Sequence, residues 1–337
     1  MLDFNPRRIL VIDLLYLGDL LFATPFFKNL RANYPQARID LIANANFASI
    51  LADSDYFDQI YSYDKSWSIK ESLSFALAKR KNNYDLGINL HGNWRTAILL
   101  RVINPEYNLG FGGRGRGIWL DKELDALSEQ DGHMVDVYLS VLAELGINNY
   151  QASEPKLNLN PAVKEQAVKI LETEGIDISK ELIALNTGGS WPTKRWGKEK
   201  FAQLADRLIA EKKAQVIFTG GPSDEARIEE IIAQMKNPAT NLAGKTSLAE
   251  LKAVASLCDL FVSGDTGPVH VANAVGTKVV AIFGPSDESK YRPRGEQAEI
   301  ILNDKLECRP CGEHQCPLEH HKCMADILVE AVIKRSV

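Results

Sequence analysis

The sequence has little of three features that would mark a specialised class of protein. No stretch approaches the ~20 consecutive apolar residues that a membrane-spanning helix needs. Positive charge is not in excess: 39 basic and 44 acidic residues give a net charge of −5, which argues against a general nucleic-acid binder. Cysteine is scarce, with five residues in the chain, and four of them fall within residues 308–323.

A secretory signal is also missing from the amino-terminal region. The apolar segment Ile9–Leu21 is interrupted by Asp13 and Asp19, and no small-residue cleavage pattern follows it. We therefore expect a cytoplasmic protein. With 337 residues, of which 45% are hydrophobic and 25% charged, the chain has the composition of a globular protein with room for two domains.

Apolar runs alternate with helical segments in both halves of the chain. The first half contains strand-like runs at 8–14, 38–43 and 84–91, with helices at about 20–33 and 70–83. The second half repeats this pattern with runs at 182–187, 214–219, 260–264 and 278–283 and a helix at 198–212. The alternation predicts α/β architecture with parallel sheets covered by helices on both sides.

A polar segment between two prolines, Pro155 and Pro161, separates the halves. We place the domain boundary there, which gives two Rossmann-like domains, 1–155 and 156–337, with a cleft between them.

The most informative motif is the turn Gly264-Asp-Thr-Gly267, which joins a strand to a short helix. A helix amino terminus at the carboxyl edge of a parallel sheet presents N–H groups and partial positive charge to an anion. Thr266 could cap the helix while Asp265 and His270 face the ligand, although a histidine on an apolar helix is more often a core residue. The predicted ligand is a phosphate compound.

Two further turns should lie at the same edge of this sheet. The turn Thr187-Gly188-Gly189 lets backbone N–H groups approach a phosphate, and Lys194 can place a charge on a departing diphosphate. The alternative is a solvated loop in which Trp191 and Trp196 only pack. The other turn, residues 219–225, contains Ser223 and Asp224, either of which could cap the next helix.

In the first domain, Gly18-Asp19 follows a buried strand and precedes a helix. Asp19 could cap that helix, or it could act as a general base toward an incoming hydroxyl. The two roles compete, because a carboxylate held by N–H groups is a weaker base.

Two other motifs match known fingerprints without the structural context that those fingerprints need. Residues 110–115 match the dinucleotide pattern G-x-G-x-x-G, yet no strong strand precedes them and no amphipathic helix follows, so we interpret them as a loop. Asp53-Ser-Asp55 has the Asp-x-Asp spacing of metal-dependent sugar transferases, but it lies among surface residues and indicates a solvated turn.

Residues 79–116 carry seven basic residues against Asp85 and Glu106, a local charge of +5 in a chain of −5. Scattered charges usually form a solvated surface. Arg95, Arg114 and Arg116, however, follow strands of the first domain, where they would line the cleft. We predict that they bind an anionic acceptor or a membrane surface.

The cysteine group Cys308, Cys311, Cys316 and Cys323 indicates a structural Zn²⁺ site, with His314, His320 or His321 as substitutes for one ligand. Disulfides or reduced thiols are the alternatives, because the spacing is not that of a standard zinc finger. We expect this segment not to touch the chemistry directly.

Taken together, the motifs resemble those of glycosyltransferase family 9, the ADP-heptose:lipopolysaccharide heptosyltransferases and their relatives. The resemblance covers nearly the whole chain, and the cysteine-rich tail is similar to that of some members. The motifs are Ile9-Leu-Val-Ile12 with Gly18-Asp19 and Thr24-Pro25, Pro192-Thr-Lys-Arg-Trp196, Gly220-Gly-Pro222, Ser263-Gly-Asp-Thr-Gly-Pro-Val-His270 and Phe283-Gly-Pro-Ser286.

The resemblance implies the two-domain GT-B fold, with a final helix that packs back on the first domain, and it assigns roles to the motif residues. Asp19 matches the family's catalytic base and Lys194 its donor-phosphate lysine. The implied donor-binding residues are Thr187, Gly188, Gly189, Asp265, Thr266, Gly267 and His270, with Asp224 and Thr246 flanking the nucleotide.

The implied reaction is a single inverting displacement that needs no metal ion. The donor would be a nucleotide sugar, with ADP-heptose favoured, and the acceptor a lipid-linked lipopolysaccharide core or related glycan at the inner face of the plasma membrane. Leu15-Tyr16-Leu17 depart from the small or hydroxylated residues expected before the Gly-Asp turn. A nucleotide-sugar 2-epimerase of the same fold and a non-catalytic carbohydrate-binding protein are the alternatives.

Overall fold

The structure is a computed structural model that describes residues 5–113, 115–127, 130–189 and 191–336. The chain divides into two compact units, one ending at Pro155 and the other beginning at Lys156. Each unit is built on its own parallel sheet, and each is described by itself. Within the described ranges, no helix is long and apolar enough to cross a membrane.

The first unit contains a six-stranded parallel sheet with the strand order β3-β2-β1-β4-β5-β6. The order reverses between β1 and β4, which is the point where open α/β sheets bind ligands. The strands are β1 (Arg8–Asp13), β2 (Arg38–Asn44), β3 (Gln59–Tyr63), β4 (Leu86–Asn89), β5 (Tyr107–Phe111) and β6 (Lys122–Leu124).

Five α-helices connect these strands, and one predicted helix is in fact two. The stretch expected at about 20–33 consists of α1 and α2, which meet at Ala23. The break has a local cause: Pro25 has no N–H to donate, so it fits the first turn of a new helix better than the interior of a longer one. The helices are α1 (Leu17–Phe22), α2 (Thr24–Asn33), α3 (Ile69–Arg80), α4 (Trp94–Ile103) and α5 (Met134–Ala143).

The second unit repeats the same topology. Its parallel sheet has the order β12-β11-β10-β7-β8-β9, so the reversal point lies between β7 and β10. The strands are β7 (Leu182–Asn186), β8 (Gln215–Thr219), β9 (Thr240–Asn241), β10 (Leu260–Gly264), β11 (Lys278–Phe283) and β12 (Ala298–Leu302).

Among the residues that the structure describes, eight α-helices accompany this second sheet, and the helix predicted at about 198–212 has those bounds. They are α6 (Pro161–Thr173), α7 (Lys198–Lys212), α8 (Glu225–Ile232), α9 (Leu248–Ser256), α10 (Gly267–Ala274), α11 (Glu288–Tyr291), α12 (Lys322–Ala325) and α13 (Val329–Arg335). The last of them, α13, packs against α7 and β12 of its own unit. A return of this helix to the first unit stays a prediction.

The dinucleotide-like motif at 110–115 was interpreted as a loop, and for its first residues this was wrong. Gly110 and Phe111 belong to β5, which pairs in parallel with β4. A short 3₁₀ helix, Arg116–Trp119, follows the motif instead of the long helix that binds a dinucleotide.

The sheets are held by apolar side chains on both faces, as buried parallel sheets require. In the first unit, Leu10 and Ile12 of β1 are fully buried and share a cluster with Leu99 and Ile103 of α4. Each fully buried aliphatic side chain stabilises the fold by roughly 1.5–3 kcal/mol. The packed sheet therefore provides a rigid base for the loops at its carboxyl edge.

One charged side chain is buried at the end of β1. Asp13 is 1% exposed; its Oδ1 accepts a hydrogen bond from the N–H of Leu15 at 3.0 Å. Its Oδ2 has no hydrogen-bond partner among the described residues. Burial raises the pKa of Asp13 to about 7, with opposing effects from the Leu15 N–H and Lys65 and a further increase from Asp19.

This burial leads to a prediction about stability and pH. Folded Asp13 keeps its proton up to about pH 7, whereas an unfolded aspartate loses it near pH 4. The resulting stabilisation is complete below about pH 4 and is lost as the pH rises through about 7. Asp13→Asn cannot ionise, so its free energy of unfolding should rise relative to wild type between about pH 5 and pH 8, by on the order of a few kcal/mol.

Urea denaturation of both proteins at the two pH values measures this difference. As a control, Asp55→Asn changes an exposed aspartate of the same unit and should leave the pH dependence of wild type intact. The same pH dependence in Asp13→Asn as in wild type would show that Asp13 is ionised in the fold.

Candidate functional site

The predicted donor-binding residues of the second unit lie at the reversal point of its sheet. Thr187 follows β7 and Asp265 follows β10, and these two strands are hydrogen-bonded neighbours. Their carboxyl ends therefore place the two turns side by side, which is where ligands bind in such sheets.

Lys194 and Asp265 form a close, largely buried ion pair at this edge. The Nζ of Lys194 donates to Oδ2 of Asp265 at 2.6 Å, and the two side chains are 16% and 7% exposed. His270 Nε2 lies 3.7 Å from the other carboxylate oxygen. The structure thus brings Lys194 next to Asp265 and His270, although Lys194 lies 71 positions before Asp265 in the sequence. The motifs had indicated this grouping.

The electrostatics of this group keep Asp265 ionised. Burial by itself would raise the pKa of Asp265, but its interaction with His270 and the positive charge of Lys194 outweigh burial and lower the pKa to about 2. A carboxylate that stays charged holds the Lys194 ammonium in one place. A positive charge fixed at a sheet edge can receive an anion without reorganising.

The amino terminus of α10 lies at the same edge. Thr266 is the N-cap residue, as expected, yet its side chain makes no capping hydrogen bond and its Oγ1 lies 3.0 Å from Oγ of Ser263 instead. The capping role proposed for Thr266 was therefore wrong. Pro268 has no N–H and the Val269 N–H donates to the Thr266 carbonyl at 3.2 Å, so the Gly267 N–H and the helix dipole give this helix start the character of an anion site.

The turn after β7 offers a hydroxyl group that is ready for a ligand. Thr187 is 1% exposed, and its Oγ1 has no hydrogen-bond partner among the described residues. A buried hydroxyl without a partner is costly, so such groups often mark a binding site. Gly188 and Gly189 follow, and a Cβ on Gly188 would lie 3.4 Å from an Asp224 carboxylate oxygen.

Asp224 is part of the neighbouring turn after β8. Its Oδ2 accepts the N–H of Gly221 at 2.9 Å, but it makes no side-chain capping bond to α8. Thr246 lies in the loop after β9, where the Gly244 N–H donates to the Gly220 carbonyl at 3.1 Å. The structure therefore gathers the turns that carry Thr187, Asp224 and Thr246 at one edge of the sheet.

The cysteine-rich segment, which we expected not to touch the chemistry directly, contacts the loop that carries Lys194. The backbone of Thr193, next to Lys194, receives a hydrogen bond from Nε2 of His321 at 2.6 Å, and the Thr193 hydroxyl donates to the Glu313 carbonyl at 2.7 Å. His314 stacks on Trp191 with 3.9 Å between ring centroids.

These contacts fix the loop that carries Lys194. The ammonium of Lys194 lies 4.6 Å from the centroid of the Trp191 ring. The same ring stacks with His314. Trp191 and Trp196 both pack, as the alternative interpretation had it, but Trp191 packs in contact with the lysine. The sequence analysis named His314 and His321 only as substitute zinc ligands and missed their contacts with this loop, because more than 100 residues separate them from it.

The four clustered cysteines are free thiols that line a single pocket together with His320 and His321. Backbone N–H groups of residues 318–321, with that of His321 contributing most, lower the pKa of Cys316, whereas burial raises the pKa of Cys323. In the described ranges, no three or more His, Cys, Asp or Glu residues are arranged to hold a metal ion. A zinc site at Cys308, Cys311, Cys316 and Cys323 stays a prediction.

Asp19, the predicted base, belongs to the first unit. It is the third residue of α1 and is half-buried, whereas the N-cap of that helix is Tyr16. Asp19 is thus not the N-cap residue of α1 but lies in the first turn of the helix. Helix α1 follows β1, so Asp19 lies near the reversal point of the first sheet.

A lysine that no motif indicated lies close to Asp19. Lys65, from the loop between β3 and α3, interacts electrostatically with Asp13, Asp19 and Arg95 and is partly buried. Its Nζ lies 5.1 Å from the centroid of the Tyr16 ring. Lys65 and Tyr16 therefore belong to the surroundings of the predicted base, and only the packing of the β3–α3 loop reveals this.

The three predicted acceptor-binding arginines have different outcomes. Arg95 is exposed on the first turn of α4 and donates a hydrogen bond to the Lys65 carbonyl, which places it beside the Asp19 group. Arg114 lies outside the described residues. Arg116 begins the 3₁₀ helix Arg116–Trp119, and its side chain is outside what the structure describes.

Comparison with known proteins gives a consistent assignment. The family described as glycosyltransferase family 9 (heptosyltransferase) matches residues 73–322. Lipopolysaccharide heptosyltransferase 3 of Escherichia coli K12 is 32% identical over 292 residues, which cover 82% of this chain and 83% of that protein.

Two solved structures extend the similarity to the whole fold. The crystal structure of a family 9 glycosyl transferase from Veillonella parvula has a TM-score of 0.90 and 27% identity, covering 98% of this chain and 96% of that one. ADP-heptose lps heptosyltransferase II of E. coli has a TM-score of 0.83 and 25% identity, covering 98% and 97%.

The α/β architecture predicted from the sequence is confirmed, and the fold is the GT-B fold of these enzymes. The match to the family covers well over half of the chain, and a relative above 30% identity covers most of it. The chain belongs to glycosyltransferase family 9, the heptosyltransferase family, and is a glycosyltransferase.

Proposed function

We propose that this enzyme transfers heptose from ADP-heptose, with inversion, to a lipopolysaccharide core or related lipid-linked glycan at the inner face of the plasma membrane. The relatives described above carry out heptosyl transfer according to their names. The observation that carries the proposal is the buried Lys194–Asp265 pair beside the start of α10 and the Thr187 hydroxyl.

On the donor side, these groups suit the diphosphate of a nucleotide sugar. The Lys194 ammonium and the amino-terminal end of α10, through its dipole and the Gly267 N–H, would stabilise the charge that develops on the departing ADP. Thr187 would donate its hydroxyl hydrogen to a phosphate oxygen, which would satisfy the buried group. Asp224 and Thr246 would flank the nucleotide from the adjacent turns.

On the acceptor side, Asp19 would act as general base. The acceptor hydroxyl oxygen forms a bond to the anomeric carbon as the bond from that carbon to the donor phosphate oxygen breaks, and the hydroxyl proton passes to the Asp19 carboxylate. The electron pair of the broken bond leaves with ADP. Lys65 and Arg95 supply positive charge near Asp19 for an anionic acceptor.

We expect Asp19→Asn to lower the rate of heptosyl transfer by roughly 10²–10⁴ because the acceptor proton loses its base. The variant should keep the ADP affinity of wild type, since Asp19 lies outside the unit that carries the donor residues. Release of ADP in a coupled assay and calorimetric ADP titration measure the two quantities.

The matched control is Asp55→Asn, which makes the same change at an exposed position of the same unit and should transfer at the rate of wild type. Transfer by Asp19→Asn at the wild-type rate would remove Asp19 from the mechanism.

Thr187→Val tests the donor side, because valine keeps the shape of threonine and removes the hydroxyl. Loss of a hydrogen bond to a charged phosphate should weaken ADP binding by roughly tenfold to a hundredfold. The free energy of unfolding should stay the same or increase, because the hydroxyl has no partner among the described residues. Thr173→Val, on the exposed face of α6, is the control.

Calorimetric ADP titration and urea denaturation give both values for each variant. Unchanged ADP affinity in Thr187→Val would show that the hydroxyl does not contact the nucleotide.

We also propose that transfer requires no metal ion, since Lys194 and the amino-terminal end of α10 supply the positive charge at the leaving diphosphate. The initial rate after dialysis against EDTA should equal that of the untreated enzyme. A loss of transfer that Mg²⁺ or Mn²⁺ restores would contradict this mechanism. Zinc analysis of the purified chain tests the cysteine prediction separately.

A further inference from the structure

The outer surface of helices α3 and α4 is unusually apolar for a face exposed to solvent. Among the described residues, eleven large apolar side chains are exposed, and five of them lie on these two helices. They are Ile69 at 88%, Leu73 at 45%, Leu77 at 46%, Trp94 at 47% and Ile98 at 49% exposure. We refer to these five side chains as the apolar face.

The spacing of these residues gives one apolar stripe on each of the two helices. Ile69, Leu73 and Leu77 are four residues apart and form one stripe along α3, and Trp94 and Ile98 have the same spacing on α4. The two helices pack against each other on one side of the first sheet. The inner sides of the two helices pack in the core, because Ala76 of α3 and Leu99 of α4 belong to a buried apolar cluster of the first unit.

Positive charge surrounds the apolar face. Residues 69–103 contain six basic and two acidic residues, a net charge of +4 in a chain whose net charge is −5. Five of the six cations are exposed on these two helices or directly after α3, namely Lys70, Arg80, Lys81, Arg95 and Arg101. Long basic side chains next to Leu, Ile and Trp are typical of helices that lie at the surface of an anionic bilayer.

The charge also argues against a second copy of the chain as the occupant. A two-fold interface would place this cationic surface against itself, which is repulsive. An anionic lipid surface complements both the charge and the apolar side chains, and the indole of Trp94 suits the boundary between headgroups and acyl chains.

We propose that the apolar face of α3 and α4, with its flanking cations, docks the first unit on an anionic lipid bilayer. This inference rests on the proposed function in one respect, since the enzyme would encounter its lipid-linked acceptor at the surface of the bilayer. The half-buried Asp19 and the acceptor-side Arg95 belong to the same unit, and Arg95 is on α4 itself.

The test is sedimentation of the full chain with vesicles of phosphatidylethanolamine containing about 30% phosphatidylglycerol at about 0.1 M salt. The triple variant Ile69→Ser/Leu73→Ser/Leu77→Ser should bind about tenfold or more weakly than wild type. Lys70→Glu/Arg80→Glu should bind more weakly and lose most of the salt dependence. Phosphatidylcholine vesicles should bind wild type poorly.

The matched control is Ile178→Ser/Leu328→Ser, which replaces exposed apolar residues of the second unit and should sediment like wild type. The proposal is overturned if wild type does not bind the anionic vesicles, or if the triple variant binds them as tightly as wild type. It is also overturned if the triple variant changes only the oligomeric state by light scattering, which would identify a second copy as the occupant.

ADP titration of the same proteins separates this proposal from the proposed function. The triple variant should keep wild-type ADP affinity, because α3 lies outside the unit that carries the donor residues. Failure of wild type to bind ADP would count against the donor assignment and leave the vesicle result standing. Normal ADP binding without vesicle binding would refute the docking face alone.

Discussion

The ion pair between Lys194 and Asp265 is the interaction on which the proposed donor site depends. Two opposite charges that are mostly removed from water are costly to place, and their separation of 2.6 Å stabilises them only because both partners are held. Asp265 is held by β10 and the start of α10, and His270 approaches it from within that helix. A purely structural role for the ion pair would not explain why the Thr187 hydroxyl, at the end of the neighbouring strand, is buried without a hydrogen-bond partner among the described residues.

The rest of the second unit keeps the lysine in reach of that carboxylate. A Cβ on Gly264 would lie 3.0 Å from the Lys194 carbonyl oxygen, so glycine allows the lysine loop to pass directly over the end of β10. The cysteine-rich segment also contacts this loop: His321 donates a hydrogen bond to the Thr193 carbonyl, and His314 stacks on Trp191. The segment thus contacts the loop of the proposed donor site through its histidines and backbone, whatever the state of its thiols.

The sequence was most informative where burial is complete. The central strands, such as β1 and β10, are continuous apolar runs that end in recognisable turns, and the motif residues Lys194, Asp265 and His270 meet because their strands are neighbours. Four strands that the sequence did not reveal, β3, β6, β9 and β12, are sheet edges, and the fifth, β5, pairs with one of them. Edge strands are short or partly exposed, so their apolar pattern is weak.

What the sequence could not reveal depends on contacts between distant segments. Lys65 comes near Asp13 and Asp19 only through the packing of the β3–α3 loop, and no residue pattern around it indicates a role. The contacts of His314 and His321 join segments more than 100 residues apart. The break between α1 and α2, in contrast, could have been anticipated from Pro25, which fits the first turn of a helix.

The central claim is that Asp265 acts on the donor by holding Lys194, and a double-mutant cycle on ADP affinity tests it most directly. Lys194→Met and Asp265→Asn should each weaken ADP binding, and the double variant should bind about as weakly as Lys194→Met alone. This outcome corresponds to a coupling free energy of roughly 1 kcal/mol or more. Additive effects within about 0.5 kcal/mol, or tighter ADP binding by Asp265→Asn, would contradict the account.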